Sequence, residues 1–243
     1  MRLYLIRHGQ TPSNVQRLLD TGEPGPGLTE LGRQQAEALP EALAGAGIEA
    51  LYASSLVRTQ LTARPLADAL GLEPAIRPGL REIGAGDLEM AGDDASVRTY
   101  LSTVFGWGQG RMHEAVPGSG EDGHDVLRRF DEVVQEVLDS GVQTAALFSH
   151  GAMIRAWSAS RCRNLSPAFV AREGLGNTGV VVIEGDGSTW TALSWQDASL
   201  GPKAVDSDDD GPAAGSLLDI AGEALARAAR TDGTLVPLTE RLD

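Results

Sequence analysis

Short apolar runs alternate with longer amphipathic segments along the first 195 residues. The runs at 3–6, 50–53 and 144–148 are typical of buried strands. Between 122 and 138 the apolar positions instead recur at helical spacing. Because this strand-then-helix rhythm repeats, we predict an α/β fold: a three-layer, doubly wound, mostly parallel sheet with helices on both faces.

The pattern also predicts the remaining elements. A helix is expected from Leu28 to Leu39, with Thr29 as its N-cap and Pro40 kinking or splitting it. Further predictions are an edge-like strand at 74–77, a helix at 96–104, and two strands at 180–184 and 190–194.

The domain organisation follows from where this pattern weakens. We predict one domain at 1–198, in which residues 90–122 form a lid or substrate-facing insertion. Apolar surface there would come from Tyr100, Phe105 and Trp107, with Arg98 and Arg111 as anchors for a second polar group of the substrate. Residues 199–243 combine an acidic run at 206–210 with a short apolar helix at 217–229, so we interpret them as an acidic linker and a C-terminal helix appended to the domain.

Composition and charge exclude several function classes. The net charge of −14 argues against a nucleic-acid partner, which requires clustered Lys and Arg. No apolar run approaches the roughly 20 residues of a membrane span. The single cysteine, Cys162, excludes an intrachain disulfide and a multi-thiolate metal cluster; we expect a buried thiol and a cytoplasmic protein. The sequence leaves the oligomeric state open.

Three distant segments place histidine or arginine just beyond a predicted strand. They carry Arg7 and His8, Arg58, and His150. In a parallel sheet these segments meet at the carboxyl edge, where ligands bind. Guanidinium forks and imidazole N–H groups suit the oxygens of a tetrahedral dianion, so we predict a phosphate site there despite the acidic surface.

Such a site needs a nucleophile and a proton donor. A neutral imidazole of His8 can attack phosphorus if its other ring nitrogen is held by an acceptor such as a carbonyl. Glu82, in a loop after a predicted strand, can protonate the leaving alkoxide and later accept a proton from water. Alternatives remain open: Glu82 could be a solvated partner of Arg81, and Asp87 or Glu89 could take its role.

Five ordered blocks give the chain a family resemblance: residues 7–14 (RHGQTPSN), 28–36, 52–59, 80–89 and 149–151 (SHG). The chain resembles the histidine phosphatase superfamily, the phosphoglycerate-mutase-like group. The resemblance implies a phosphohistidine on His8, Glu82 as acid and base, and no metal or cofactor. It also implies a phosphate pocket formed by four residues: Arg7, Asn14, Arg58 and His150.

The resemblance leaves some positions open. Asn14 could be only a helix cap, and a surface role is favoured for His113 and His124. Broad phosphatases of this group carry an Arg-x-Gln-Gly stretch where this chain has residues 17–21, so a pocket glutamine is absent and an acidic Asp20 stands nearby. Where the family usually has an aromatic residue after the Glu82 loop, this chain has Leu88.

Three functions are compatible with these residues. We predict a metal-independent phosphomonoesterase that acts on a small phosphorylated substrate; the alternatives are a phosphoglycerate mutase and, less favoured, a catalytically idle module. Mutases of the family carry a longer insertion with basic residues between the glutamate and the second histidine. Here the interval from Glu82 to His150 is 68 residues and contains no Lys, which favours hydrolysis.

Overall fold

Six strands form one mixed sheet at the centre of the molecule. A computed structural model describes residues 1–196. The strands are β1 (Arg2–Arg7), β2 (Ala50–Ala53), β3 (Ala75–Ile76), β4 (Thr144–Ser149), β5 (Val180–Gly185) and β6 (Trp190–Trp195). Their order is β3-β2-β4-β1-β5-β6. The first four are parallel to one another, while β5 runs antiparallel to β1 and β6 antiparallel to β5. This confirms the predicted α/β fold with a mostly parallel sheet.

The helices of residues 1–196 connect and cover these strands. They are α1 (Pro12–Val15), α2 (Glu30–Glu37), α3 (Leu39–Ala42), α4 (Val57–Leu70), α5 (Asp94–Gly106), α6 (Gly123–Asp139), α7 (Gly151–Arg161) and α8 (Pro167–Arg172). Short 3-10 helices lie at Pro78–Leu80, Gly86–Leu88 and Trp107–Gln109. None of the helices in this part of the chain is long and apolar enough to cross a membrane.

Local sequence signals explain where these helices begin and end. The Thr29 side chain accepts a hydrogen bond from the Gly32 amide and caps α2, as predicted. The predicted split at Pro40 is also confirmed, because α2 ends at Glu37 and Pro40 lies in the first turn of α3. Asp122 forms a capping box at the start of α6.

The core has one layer on each face of the sheet. On one face Ile6 and Phe148 pack with Leu39 of α3 and Leu66 of α4. On the other face the strands pack against α5, α6 and α7, with Trp157 among the largest buried side chains. Apolar residues of the strands therefore face helices on both sides, as the three-layer prediction requires.

The prediction that residues 90–122 present an exposed apolar surface is wrong. Tyr100, Phe105 and Trp107 are buried and belong to the core, because α5 packs against α7. Arg111 does not project as an anchor either; it donates to Glu114 and to the Ser102 carbonyl. The predictions for residues 199–243, and the boundary at 198, lie outside the described residues.

Candidate active site

The carboxyl edge of the parallel strands brings the predicted residues together. β1 ends at Arg7, directly opposite Ser149 at the end of β4. His8 and His150 follow these positions, and their ring centroids lie 5.2 Å apart. Arg58 reaches the same edge from the first turn of α4, which follows β2. The convergence predicted from the parallel topology is therefore observed.

His8 is held as a neutral ring. Its Nδ1 lies 2.8 Å from the Gly9 carbonyl oxygen, so Nδ1 carries the proton and donates it, which leaves the lone pair on Nε2. Burial lowers the pKa of His8 well below its ordinary value, and the charges of Arg58 and Arg7 lower it further. The carbonyl acceptor that the sequence argument required is thus the next residue of the chain.

Neighbouring loops fix the backbone around His8. The Gly9 amide donates to the Thr62 hydroxyl of α4 at 2.9 Å. The His8 carbonyl accepts from the Thr178 amide and from the Asn177 side chain, in the loop before β5. The backbone of His8 is therefore held from both sides of β1, which fixes the position of its ring.

A small cavity of about 40 Å³ opens at this edge. One water molecule needs on the order of 10–15 Å³, so the cavity accommodates a group of several heavy atoms. It is lined by Arg7, His8, Thr11, Ser13, Asn14, Leu18, Leu19, Asp20, Thr21, Arg58, Glu82 and Tyr100.

Two buried arginines supply the positive charge of the cavity. Arg7 Nη1 donates to the Leu175 carbonyl at 2.7 Å. Arg58 Nη2 donates to the Asp20 carbonyl at 3.0 Å, while the buried Arg58 Nη1 has no hydrogen-bond partner among the described residues. Burial lowers the pKa of Arg58, and nearby acidic groups, Glu82 first, oppose that shift. An unsatisfied buried N–H is costly, so an anion placed there would be stabilised.

His150 lies behind Arg58 rather than in the cavity lining. Its Nδ1 accepts from Arg58 Nε at 3.3 Å, and its Nε2 lies 2.8 Å from the Ser54 hydroxyl. Burial, followed by the Arg58 charge, lowers the pKa of His150 well below its ordinary value, so the ring is neutral with the proton on Nε2. In this arrangement His150 orients Arg58, and direct contact with phosphate stays a prediction.

Glu82 lines the cavity at the N-terminus of α7. Its Oε1 accepts from the amides of Ile83 and Met153, both at 2.9 Å, and its Oε2 accepts from the Ala152 amide at 3.2 Å. Arg81, the alternative partner considered from the sequence, contacts Glu121 instead. The three amides fix the position of the carboxyl group in the cavity wall.

Asn14 caps a helix and also lines the cavity, so its role in phosphate binding stays a prediction. It is the third residue of α1, and its side chain completes a capping box with Thr11. Its Oδ1 also accepts from Asn177 at 3.2 Å, so the amide nitrogen is the donor that Asn14 can offer to a ligand in the cavity it lines.

The other carboxylates considered for the acid role lie outside the cavity lining. Glu89 accepts from the Thr21 amide at 2.7 Å and from the Gly22 amide at 3.0 Å, and neither Asp87 nor Glu89 belongs to the cavity lining. Within residues 1–196, no three His, Cys, Asp or Glu side chains are grouped so that they could hold a metal ion.

Sequence reasoning did not assign Ser13 to the site, and it placed Tyr100 only on a substrate-facing surface of residues 90–122; both side chains line the cavity. Tyr100 of α5 donates its hydroxyl to the Ile83 carbonyl at 2.9 Å, which fixes the loop after Glu82. Asp20 also lines the cavity. The signal for Asp20 was present in the sequence, because residues 17–21 are where the family pattern breaks.

Comparison with known proteins finds related sequences and structures. The family model of the histidine phosphatase superfamily (branch 1) matches residues 3–198. The PE-PGRS family protein PE_PGRS11 of Mycobacterium tuberculosis is 36% identical over 216 residues, covering 82% of this chain. A protein of Yersinia enterocolitica named "Probable phosphoglycerate mutase GpmB" is 30% identical, with 84% of this chain covered.

These relatives differ in length. The chain spans 37% of PE_PGRS11 and 94% of the Yersinia protein. Among solved structures, the mycobacterial glucosyl-3-phosphoglycerate phosphatase in complex with VO3 is similar with a TM-score of 0.68. It is 28% identical, and the match covers 80% of this chain and 98% of that one.

Proposed function

The chain belongs to branch 1 of the histidine phosphatase superfamily, and on that premise we propose a metal-independent phosphomonoesterase that works through a phosphohistidine on His8. The observation that carries the proposal is the state of His8. Its ring is neutral, its Nδ1 is held by the Gly9 carbonyl, and it lines a cavity with two buried arginines. The resulting Nε2 lone pair is the nucleophile that phosphoryl transfer needs.

In the first step His8 Nε2 attacks phosphorus while the bond from phosphorus to the ester oxygen breaks. Glu82 gives its proton to the departing alkoxide, and the alcohol leaves. Arg7 and Arg58 stabilise the charge on the equatorial oxygens of the transferring group. The products of this step are a phosphorylated His8, a Glu82 carboxylate and the free alcohol.

In the second step a water molecule attacks the phosphohistidine. Glu82 accepts a proton from that water as its oxygen bonds to phosphorus, and the bond between phosphorus and Nε2 breaks. Inorganic phosphate leaves, His8 is neutral again and Glu82 is protonated again. The cycle therefore needs no other reactant than water.

A phosphoglycerate mutase is the second candidate, because relatives such as the Yersinia protein carry that name. A mutase must hold a substrate that bears a carboxylate as well as phosphate. The basic side chains lining this cavity are Arg7, His8 and Arg58, of which His8 is neutral, and Asp20 adds a negative charge. This balance favours hydrolysis over isomerisation of an acidic substrate.

The decisive experiment is phosphate release from a panel of small phosphomonoesters in EDTA, beside a mutase assay with 3-phosphoglycerate and its bisphosphate primer. We expect release that survives chelation and falls by at least about a thousandfold in His8→Ala, because the nucleophile is lost. A His8→Ala variant that is folded and fully active would contradict the proposal. Isomerisation without release would identify a mutase.

We also propose a cytoplasmic location for the protein. The support is the single cysteine of the chain, Cys162, whose side chain is buried, as the sequence predicts. Burial raises the pKa of this thiol to about 12, so the reactive thiolate hardly forms and the side chain is protected from oxidation. Recovery of the chain from the membrane or extracellular fraction of its cells would contradict this location.

A further inference from the structure

Asp20 places a fixed carboxylate in the wall of the cavity. Its Oδ2 accepts a hydrogen bond from the Ser13 hydroxyl, and its Oδ1 lies 4.0 Å from Arg58 Nη1. The Asp20 carbonyl accepts from Arg58 Nη2. Backbone pairing of Leu19 with Met90 and Ala91 holds this segment in place. The carboxylate is therefore part of the site.

The position of Asp20 suits contact with the alcohol of a substrate rather than with its phosphate. The Asp20 side chain is 12% exposed, whereas that of Arg58 is 3% exposed and that of Glu82 is also buried. The carboxylate thus lies nearer to solvent than the guanidinium that would hold phosphate. The alcohol of a bound ester extends from the phosphate toward solvent, and an alcohol that leaves on the side of Asp20 meets this carboxylate with its first atoms.

The charge of the cavity determines what such an alcohol can carry. The cations in the lining are Arg7 and Arg58, and a phosphate dianion matches both of them. A second anionic group on the substrate would meet the Asp20 carboxylate without a compensating cation in the lining. A hydroxyl or an ammonium group would instead donate a charge-assisted hydrogen bond to Asp20.

We propose that Asp20 determines the substrate class: it selects phosphomonoesters whose alcohol carries a hydrogen-bond donor near the ester oxygen and disfavours those with a carboxylate there. This inference rests on the proposed phosphatase function. A purely structural role for Asp20, as a brace for Ser13 and Arg58, would change the hydrolysis of all substrates by a similar factor. The ratio between substrates separates the two roles.

The test uses three two-carbon esters, 2-aminoethyl phosphate, 2-hydroxyethyl phosphate and phosphoglycolate, with p-nitrophenyl phosphate as reference. We expect kcat/KM of the full-length protein to be about tenfold higher for the two donor-bearing esters than for phosphoglycolate. In Asp20→Asn, which keeps the size of the side chain, this preference should fall by about tenfold. Asp68→Asn changes the net charge equally on the exposed face of α4, and should leave the preference within twofold.

Each outcome has a defined meaning. A preference in Asp20→Asn within twofold of that of the unmodified protein overturns the role of Asp20, as does a similar loss on all four substrates. If Asp20→Asn is poorly folded by circular dichroism, Asp20→Ser provides the same comparison. Absence of hydrolysis of all four esters by the unmodified protein would instead overturn the phosphatase function.

Discussion

At the scale of single residues, the proposed mechanism assigns different chemistry to Glu82 and to His8. The amides of Ile83, Ala152 and Met153 hold the Glu82 carboxyl group, while a carbonyl holds the ring of His8. One group transfers protons and the other forms the bond to phosphorus. The two contributions can therefore be separated by changing the leaving group.

For Glu82→Gln we expect kcat/KM on alkyl phosphates to fall by roughly 10²–10⁴, the usual contribution of a general acid. This ratio reports the steps up to phosphohistidine formation and therefore excludes the later role of Glu82 as a base. The loss on p-nitrophenyl phosphate should be much smaller, because nitrophenolate departs without a proton. Steady-state kinetics on both substrates measures the difference. Glu89→Gln is the matched control: Glu89 lies outside the cavity lining, accepts hydrogen bonds from Thr21 and Gly22, and should not alter the ratio when changed. Equal losses on both substrates in Glu82→Gln would exclude the acid role.

Sequence motifs predicted the central residues because strand ends and catalytic groups are adjacent along the chain. Arg7 and His8 directly follow the apolar run of β1, so the parallel topology fixes where they lie. The location of Asp20 could not be deduced in this way. It depends on pairing of its segment with residues 89–91, about 70 positions later in the sequence.

At the scale of elements, the burial of α5 shows a second limit of the sequence. Its apolar positions indicated that the helix has an apolar side, but not which element covers it. Packing of α5 against α7 buries Phe105 and Tyr100, and aims the Tyr100 hydroxyl at the Ile83 carbonyl next to Glu82. The segment that the sequence indicated as a substrate-facing insertion thus contains a core helix, and this helix holds the loop that follows Glu82.

The loop after β1 and helix α2 approach each other without room for a side chain. A Cβ on Gly9 would lie 2.6 Å from the Gly32 carbonyl oxygen, and a Cβ on Gly32 would lie 2.1 Å from that of Gln10. We expect Gly32→Ala to lower the free energy of unfolding by about 1–3 kcal/mol, as overpacking does. Activity should fall as well, because the shifted loop carries His8.

Urea unfolding and phosphatase assays measure both effects. Gly45→Ala is the matched control, since a Cβ there has no neighbour within 4 Å in the described structure. Its free energy of unfolding should stay the same or rise by about 0.4–1 kcal/mol through the lower entropy of the unfolded chain. Equal stability of the two variants would show that α2 can move away from the loop without cost.

At the scale of the whole molecule, an acidic protein encloses a basic site with two buried neutral histidines. Burial lowers the pKa of both His8 and His150 well below 6.5, the ordinary value that they regain on unfolding. Below pH 6.5 the unfolded chain therefore binds protons that the folded protein does not. By linkage, stability falls as pH falls from about 7 to 5, by up to about 1.4 kcal/mol per pH unit for each histidine.

Urea unfolding between pH 7 and 5 measures this slope, and His8→Asn removes one of the two histidines. We expect the variant to lose about half of the pH dependence, because His150 still takes up a proton on unfolding. A free energy of unfolding that is constant over this range would mean that the two rings take up protons as readily in the folded protein as in the unfolded chain, so that burial does not lower their pKa. His8 would then be charged near pH 5, and because a charged ring has no lone pair for phosphorus, phosphatase activity would fall over the same range.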